Sequence, residues 1–197
     1  LKVLLENTPA QIRVLTKGAG VEDSFDLMEE YSDRVIVSLS TGIPENKAEF
    51  AEAVEPNAAP IEERYRIIQE AHDTGLRTYG MLCPCLPGMA DSKTALREMI
   101  GKVKKAGAED IWVEPVNARG RSMHNTADAL AKIGKIREAK MMLDVTSADL
   151  WSEYTLKLCQ NAIEVAEEKG VLDKLHILLY PSNLRREDEE VLREYGD

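Results

Sequence analysis

Two hydrophobic regimes alternate along the chain. Short apolar stretches with no helical period are followed by longer segments whose apolar residues return every three or four positions. The short stretches predict strands at residues 11–17 (Gln-Ile-Arg-Val-Leu-Thr-Lys), 34–40 (Arg-Val-Ile-Val-Ser-Leu-Ser), 77–83 (Arg-Thr-Tyr-Gly-Met-Leu-Cys), 110–114 (Asp-Ile-Trp-Val-Glu) and 176–180 (His-Ile-Leu-Leu-Tyr). The longer segments predict helices at 22–31, 61–74, 92–106, 127–142 and 148–169, with a shorter one at 46–54. The opening seven residues also read as helical, and the acidic stretch 187–194 predicts a surface helix. Punctuation agrees: Pro60 suits a helix entry, Asp91 or Ser92 an N-cap, and Gly75 and Gly107 helix ends. Pro84, with Pro87 and Gly88, is expected to stop the third strand, and Pro181 the last.

Strand followed by helix, repeated and closed by a strand, is the pattern of a parallel sheet covered by helices. We therefore expect an α/β fold, one domain over residues 1–197, with right-handed crossovers giving either a doubly wound sheet or part of a barrel. The nearly continuous apolar strands imply burial on both faces. In both architectures functional groups gather where the strands end. Those positions carry Thr16 and Lys17, Ser38 and Ser40, Cys83 and Cys85, Glu114 with Asn117 and Arg119, and Tyr180 with Ser182 and Asn183. This set suits a polar ligand.

Composition narrows the picture. At 197 residues and 44% hydrophobic content the chain can bury a sizeable core, and no apolar run approaches membrane-spanning length. A net charge of −10 argues against nucleic-acid binding through a general basic surface, while leaving a local basic pocket open. Three cysteines, Cys83, Cys85 and Cys159, form neither a disulfide framework nor a metal site by spacing, and a reducing cytoplasm is the simplest setting. The chain opens at Leu1 inside what reads as a helix, so we expect a fragment of a longer protein.

Familiar catalytic signatures are missing. Gly18-Ala-Gly20 lacks the third glycine of a dinucleotide fingerprint, and no Gly-x-Ser-x-Gly elbow occurs. His72 is expected on a helix surface and His176 in a packing role, which leaves His124, in the loop after the fourth strand, as the only histidine near the presumed active end. Lys17, ending a strand, can hold a carboxylate or phosphate as a point charge, or else is an exposed loop lysine. Ser38 and Ser40 alternate and so share one face, where they meet a ligand's hydroxyls or carboxylate, or else local backbone. Glu114, Asn117 and Arg119 place a carboxylate, an amide and a guanidinium within six residues, either gripping a polar molecule or closing a turn. Cys83 and Cys85 flank Pro84; at least one is expected to pack as a small hydrophobe, and a redox or hydrogen-donor role is the alternative.

Taken in order, several of these segments resemble a known group. They are Ile12-Arg-Val-Leu-Thr-Lys17, Val35-Ile-Val-Ser-Leu-Ser-Thr41, Glu55-Pro with Pro60-Ile-Glu-Glu-Arg64, Gly75, Pro87-Gly88, Trp112-Val-Glu-Pro-Val-Asn-Ala-Arg-Gly120 and Leu178-Leu-Tyr-Pro181. Together they look like the spore photoproduct lyase-like, "DNA repair photolyase" branch of the radical S-adenosylmethionine superfamily. The resemblance implies a partial (β/α) barrel that binds a [4Fe–4S] cluster and S-adenosylmethionine, whose reductive cleavage gives a hydrogen-abstracting 5′-deoxyadenosyl radical. It implies that Lys17 meets the methionine carboxylate, that Ser38 or Ser40 meets the ribose or amino group, and that Asn117 and Arg119 line the cofactor or substrate side. The family's Cys-x-x-x-Cys-x-x-Cys loop has no match here, so the fragment is expected to lack the cluster and to be inactive alone. A missing first part of the barrel would expose the edge of the first strand and favour homo-oligomers. A different barrel enzyme binding a phosphorylated or carboxylate small molecule, and a non-catalytic α/β binding module, stand as alternatives.

Overall fold

The computed structural model describes residues 1–180 and 183–193. Five strands, β1 (Ile12–Thr16), β2 (Val35–Ser40), β3 (Arg77–Cys85), β4 (Asp110–Pro115) and β5 (Leu175–Ile177), form one sheet in the order β1-β2-β3-β4-β5. Every neighbouring pair is parallel. The helices are α1 (Lys2–Asn7), α2 (Phe25–Glu29), α3 (Ala48–Val54), α4 (Ile61–Asp73), α5 (Lys93–Lys105), α6 (Ser122–Lys132), α7 (Ile136–Asp144), α8 (Ala148–Glu168) and α9 (Arg186–Arg193).

Sequential order has a direct consequence. When each strand is added beside its predecessor, right-handed crossovers keep returning to one side of the sheet. Val35, Val37 and Leu39 of β2, Leu82 of β3, and Ile111 and Val113 of β4 belong to one core with the apolar faces of the helices. The apolar stripe of α4 (Ile61, Tyr65, Ile68 and Ala71) is buried there, each large side chain contributing roughly 1.5–3 kcal/mol. The opposite face carries a separate small cluster of Ile36, Tyr79, Met81 and Cys83, with Trp112 against it, built from strand residues alone. On that face the Arg13 guanidinium lies 5.0 Å from the Tyr79 ring and 5.1 Å from the Trp112 ring, and Trp112 stacks on His176 at 4.6 Å.

Several expectations are corrected. The strands are not uniformly buried on both faces: β2 is, but β4 alternates and β1 exposes Arg13 and Leu15. Pro84 does not stop the third strand; with a register shift between Leu82 and Cys85, β3 runs on to Cys85, and the Cys83–Pro84 bond is cis. The segment expected as one helix at 127–142 is two, because Gly134 takes φ +76° and turns the chain between α6 and α7. Because α6 starts at Ser122, His124 sits exposed on a helix rather than in a loop. The helix expected at 22–31 is a 3-10 turn (Ala19–Ser24) leading into the short α2. The last strand has three residues, and the expected stop at Pro181 lies outside the described residues. The acidic stretch forms α9, yet Asp188 is buried, held by the Ser152 hydroxyl at 2.6 Å and Arg185 at 2.7 Å.

Candidate functional site

The C-terminal ends of the strands meet in a polar rim on the uncovered face. Ser38 and Ser40 lie on that face, opposite in sense to the core-facing Val37 and Leu39. Ser38 registers with Leu15 on one side and Tyr79 on the other, and these larger neighbours leave it fully buried. Its hydroxyl has no hydrogen-bond partner among the described residues, nor has that of Thr41 just beyond β2. An unpaired buried hydroxyl costs roughly 1–3 kcal/mol, so that of Ser38 is open to a ligand's polar group. Ser40, also buried, donates to the Cys83 carbonyl and lies 3.6 Å from the Cys83 sulfur.

Lys17 follows β1. Its ammonium donates to Glu55 Oε1 at 2.5 Å, and Glu55 Oε2 sits 2.7 Å from the Arg64 guanidinium. Arg64, 1% exposed, also donates to the carbonyls of Ala59 at 2.7 Å and Ser40 at 3.0 Å. An open cleft of about 330 Å³ runs along Lys17, Gly18 and residues 55–58.

Across the rim, Tyr180 donates to the Glu114 carboxylate, with Asn117 near the same phenol. Asn117 Oδ1 accepts from the Arg119 backbone N–H at 3.2 Å, which closes the turn. The Arg119 side chain is exposed and makes no ion pair or hydrogen bond among the described residues. The Tyr180 phenol is pushed up to about 12, first by burial and then by the Glu114 carboxylate. Burial likewise raises the Cys83 thiol to about 11, with Glu114 adding to the rise while the Ser40 hydroxyl and Lys17 oppose it. Lys17, Ser40, Cys83, Glu114, Asn117 and Tyr180 therefore form one linked neighbourhood, with Ser38 one position deeper on the same face. Ser182, expected beside Tyr180, lies outside the described residues.

The rim is braced from the helix side by residues that sequence reasoning missed. Trp151 Nε1 donates to the Val116 carbonyl at 2.7 Å. The Tyr154 hydroxyl donates to the Cys85 carbonyl and accepts from the Val116 N–H. Both aromatics lie on the buried face of α8, where the sequence shows helical spacing but not the polar contact. Glu55 and Arg64 were legible only as parts of the resembling motif. Gly42 lets the end of β2 pass close to β3: a Cβ there would lie 2.4 Å from the Pro84 carbonyl oxygen.

Cys83, Cys85 and Cys159 are free and buried, and burial raises all three thiols, Cys159 to about 12. Deep, protonated thiols are poor metal ligands, so these residues do not fit an iron–sulfur cluster. His176 stacks on Trp112 and lies 3.3 Å from Asp110, a packing position near the lower part of the sheet; His72 is exposed on α4. No described helix is long and apolar enough to cross a membrane.

Known proteins give similarity without a function. No family model matches the chain, and no solved structure matches it. It is 28% identical over 162 residues to an uncharacterized protein, ORF301, of Acidianus two-tailed virus, a match covering 79% of this chain and 53% of the viral protein. It is also 28% identical over 109 residues to uncharacterized proteins of Mycobacterium bovis and Mycobacterium tuberculosis, covering 55% of this chain and 32% of theirs. The chain thus spans about half the length, or less, of these curated relatives.

Proposed function

We propose that this chain is the C-terminal part of a radical S-adenosylmethionine enzyme core resembling the spore photoproduct lyase-like branch. On this reading the uncovered sheet face is the inner wall of a partial (β/α) barrel, and S-adenosylmethionine sits on its C-terminal rim. One observation carries the reading. Sequentially ordered parallel strands finish on one side with Lys17, Ser40 and Glu114 in a shared neighbourhood, above a buried Ser38 hydroxyl that lacks a partner.

The residues suit the cofactor chemically. Lys17 offers an ammonium to the methionine carboxylate, Ser38 and Ser40 offer hydroxyls to the ribose or amino group, and Asn117 lines the adjoining side. Arg119, though exposed, extends from the same loop. When bound, S-adenosylmethionine supplies the 5′-deoxyadenosyl group for hydrogen abstraction. This chain's part is to hold it, with Glu114 hydrogen-bonded by Tyr180, and to exclude water with the Tyr79–Met81–Trp112 surface. The cluster's ligands are assigned to a part of the longer enzyme outside these residues. No substrate follows from the site, and the −10 net charge gives DNA no support.

Full burial of Ser38 and Ser40 favours a second reading, a non-catalytic α/β module in which both hydroxyls simply pack. Calorimetric titration with S-adenosylmethionine separates the two. The enzyme reading expects saturable binding that Lys17→Ala weakens about tenfold, the loss of one charged contact of about 1.4 kcal/mol, with adenosine binding unaffected. Absence of binding to the chain, together with no Cys-x-x-x-Cys-x-x-Cys motif in its parent reading frame, would end it.

A further inference from the structure

Among the described residues, Glu55 is the one carboxylate that touches both Lys17 and Arg64. It receives the Lys17 ammonium at 2.5 Å on one oxygen and faces Arg64 at 2.7 Å with the other. Arg64 is fully buried and locked to the Ala59 and Ser40 carbonyls, so it is a fixed post at the end of β2. Lys17 is different: its side chain is 32% exposed and opens on the cleft that runs along residues 55–58. An ammonium has three donors, and Glu55 uses one of Lys17's.

From this arrangement we infer that Glu55 is a positioning residue which aims Lys17 into the rim and sets the site's charge for a monoanionic carboxylate, not a phosphate. The inference rests on the reading that Lys17 meets a ligand carboxylate. Within the Lys17–Glu55–Arg64 cluster, two cations and one carboxylate leave a single net positive charge, with Glu114 further along the rim. A carboxylate ligand balances that charge, whereas a phosphate dianion would bring its second charge against Glu55 at close range. Positioning follows from the chain Lys17–Glu55–Arg64–Ser40: the lysine is tied to the backbone of the strand that carries the rim serines. A flexible four-carbon stem held at one end loses its freedom before the ligand arrives, which lowers the ordering cost of binding.

The test titrates wild type, Glu55→Gln and Glu55→Asp with S-adenosylmethionine, decarboxylated S-adenosylmethionine and inorganic phosphate, with thermal melts run alongside. Wild type should prefer the carboxylate-bearing compound about tenfold and reject phosphate. Glu55→Gln should gain at least tenfold in phosphate affinity, because both cations are then uncompensated; a purely structural role would lower the melting temperature and leave the anion preference unmoved. Glu55→Asp should still reject phosphate, since the charge remains, but should lose preference for the carboxylate, since the shorter side chain no longer reaches both partners. If Glu55→Gln does not fold, Glu55→Asp alone decides: an unchanged carboxylate preference overturns the inference. If wild type binds no S-adenosylmethionine while Glu55→Gln captures phosphate, the cofactor reading fails and the charge assignment stands. If wild type binds it and phosphate affinity is the same in Glu55→Gln, the charge assignment fails and the cofactor reading stands.

Discussion

Tyr180 donates its phenolic hydrogen to the Glu114 carboxylate, joining the segment after β5 to the end of β4 across the rim. The phenol is pushed from its ordinary 10.0 up to about 12 by burial and by that carboxylate. The folded value lies above the unfolded one, so this group's contribution to stability is complete below about pH 10 and is lost as pH rises from about 10 to about 12. Tyr180→Phe should remove one late-ionising tyrosine from the alkaline absorbance titration and flatten the stability loss in that window. Near neutral pH it should cost about 1 kcal/mol, one net hydrogen bond, by urea unfolding. Loss instead of a tyrosine that ionises at the ordinary value near 10 would show that Tyr180 is not held by Glu114.

Gly42→Ala tests how tightly the ends of β2 and β3 are packed. The new methyl would lie 2.4 Å from the Pro84 carbonyl oxygen and 2.9 Å from the Cys83 carbonyl carbon, both backbone atoms that no side-chain rotation can move. The substitution is expected to destabilise the fold by about 1–3 kcal/mol. It should also loosen the rim, seen as faster labelling of Cys83 than in wild type. Unaltered urea midpoint and labelling would mean that the two strand ends separate freely.

The fold was largely legible because a fully parallel sheet writes its strands as apolar runs and its helices as amphipathic ones, and both signals are strong in Val35–Ser40 and Ile61–Asp73. What failed was local. Proline reads as a strand stop at Pro84, yet β3 continues to Cys85. Gly134 was passed over inside a helical pattern, though its positive φ is what divides α6 from α7. At the site, the alternation of Ser38 and Ser40 and the strand-end position of Lys17 could be read directly. The partners could not: Glu55 is 38 residues from Lys17, and Tyr180 is 66 from Glu114, separations at which no periodicity carries information. Arg119, two positions past Asn117, is exposed, and its place in a grip on a ligand is not something that spacing alone can decide.

Thiol chemistry provides an independent check on the core. Cys83, Cys85 and Cys159 are buried and their thiols are raised, by burial first in each case. At pH 8 the native protein should therefore react slowly with a disulfide reagent, and in guanidinium all three thiols should react at once. Cys83 should lead, being the least deeply buried of the three. A burst of one equivalent in the native state would show that the uncovered face opens in solution.

Among the described residues β1 has a sheet neighbour on one side only, and its Leu15 is 51% exposed on the face that the helices leave uncovered. The N–H of Ile12 points to β2, donating to the Arg34 carbonyl; strand alternation turns the N–H groups of Arg13 and Leu15 toward the open edge. An unpaired edge beside an exposed leucine is a template for a second strand. The chain is expected to self-associate at micromolar concentration in sedimentation velocity, with the associated fraction rising with protein concentration. Leu15→Lys should shift the population to monomer without lowering the melting temperature, because the leucine contributes little buried area and a lysine on an edge strand repels a copy of itself. A single monomeric boundary for the unaltered chain across the concentration series would mean that Arg13, stacked over Tyr79 and Trp112, already guards this edge.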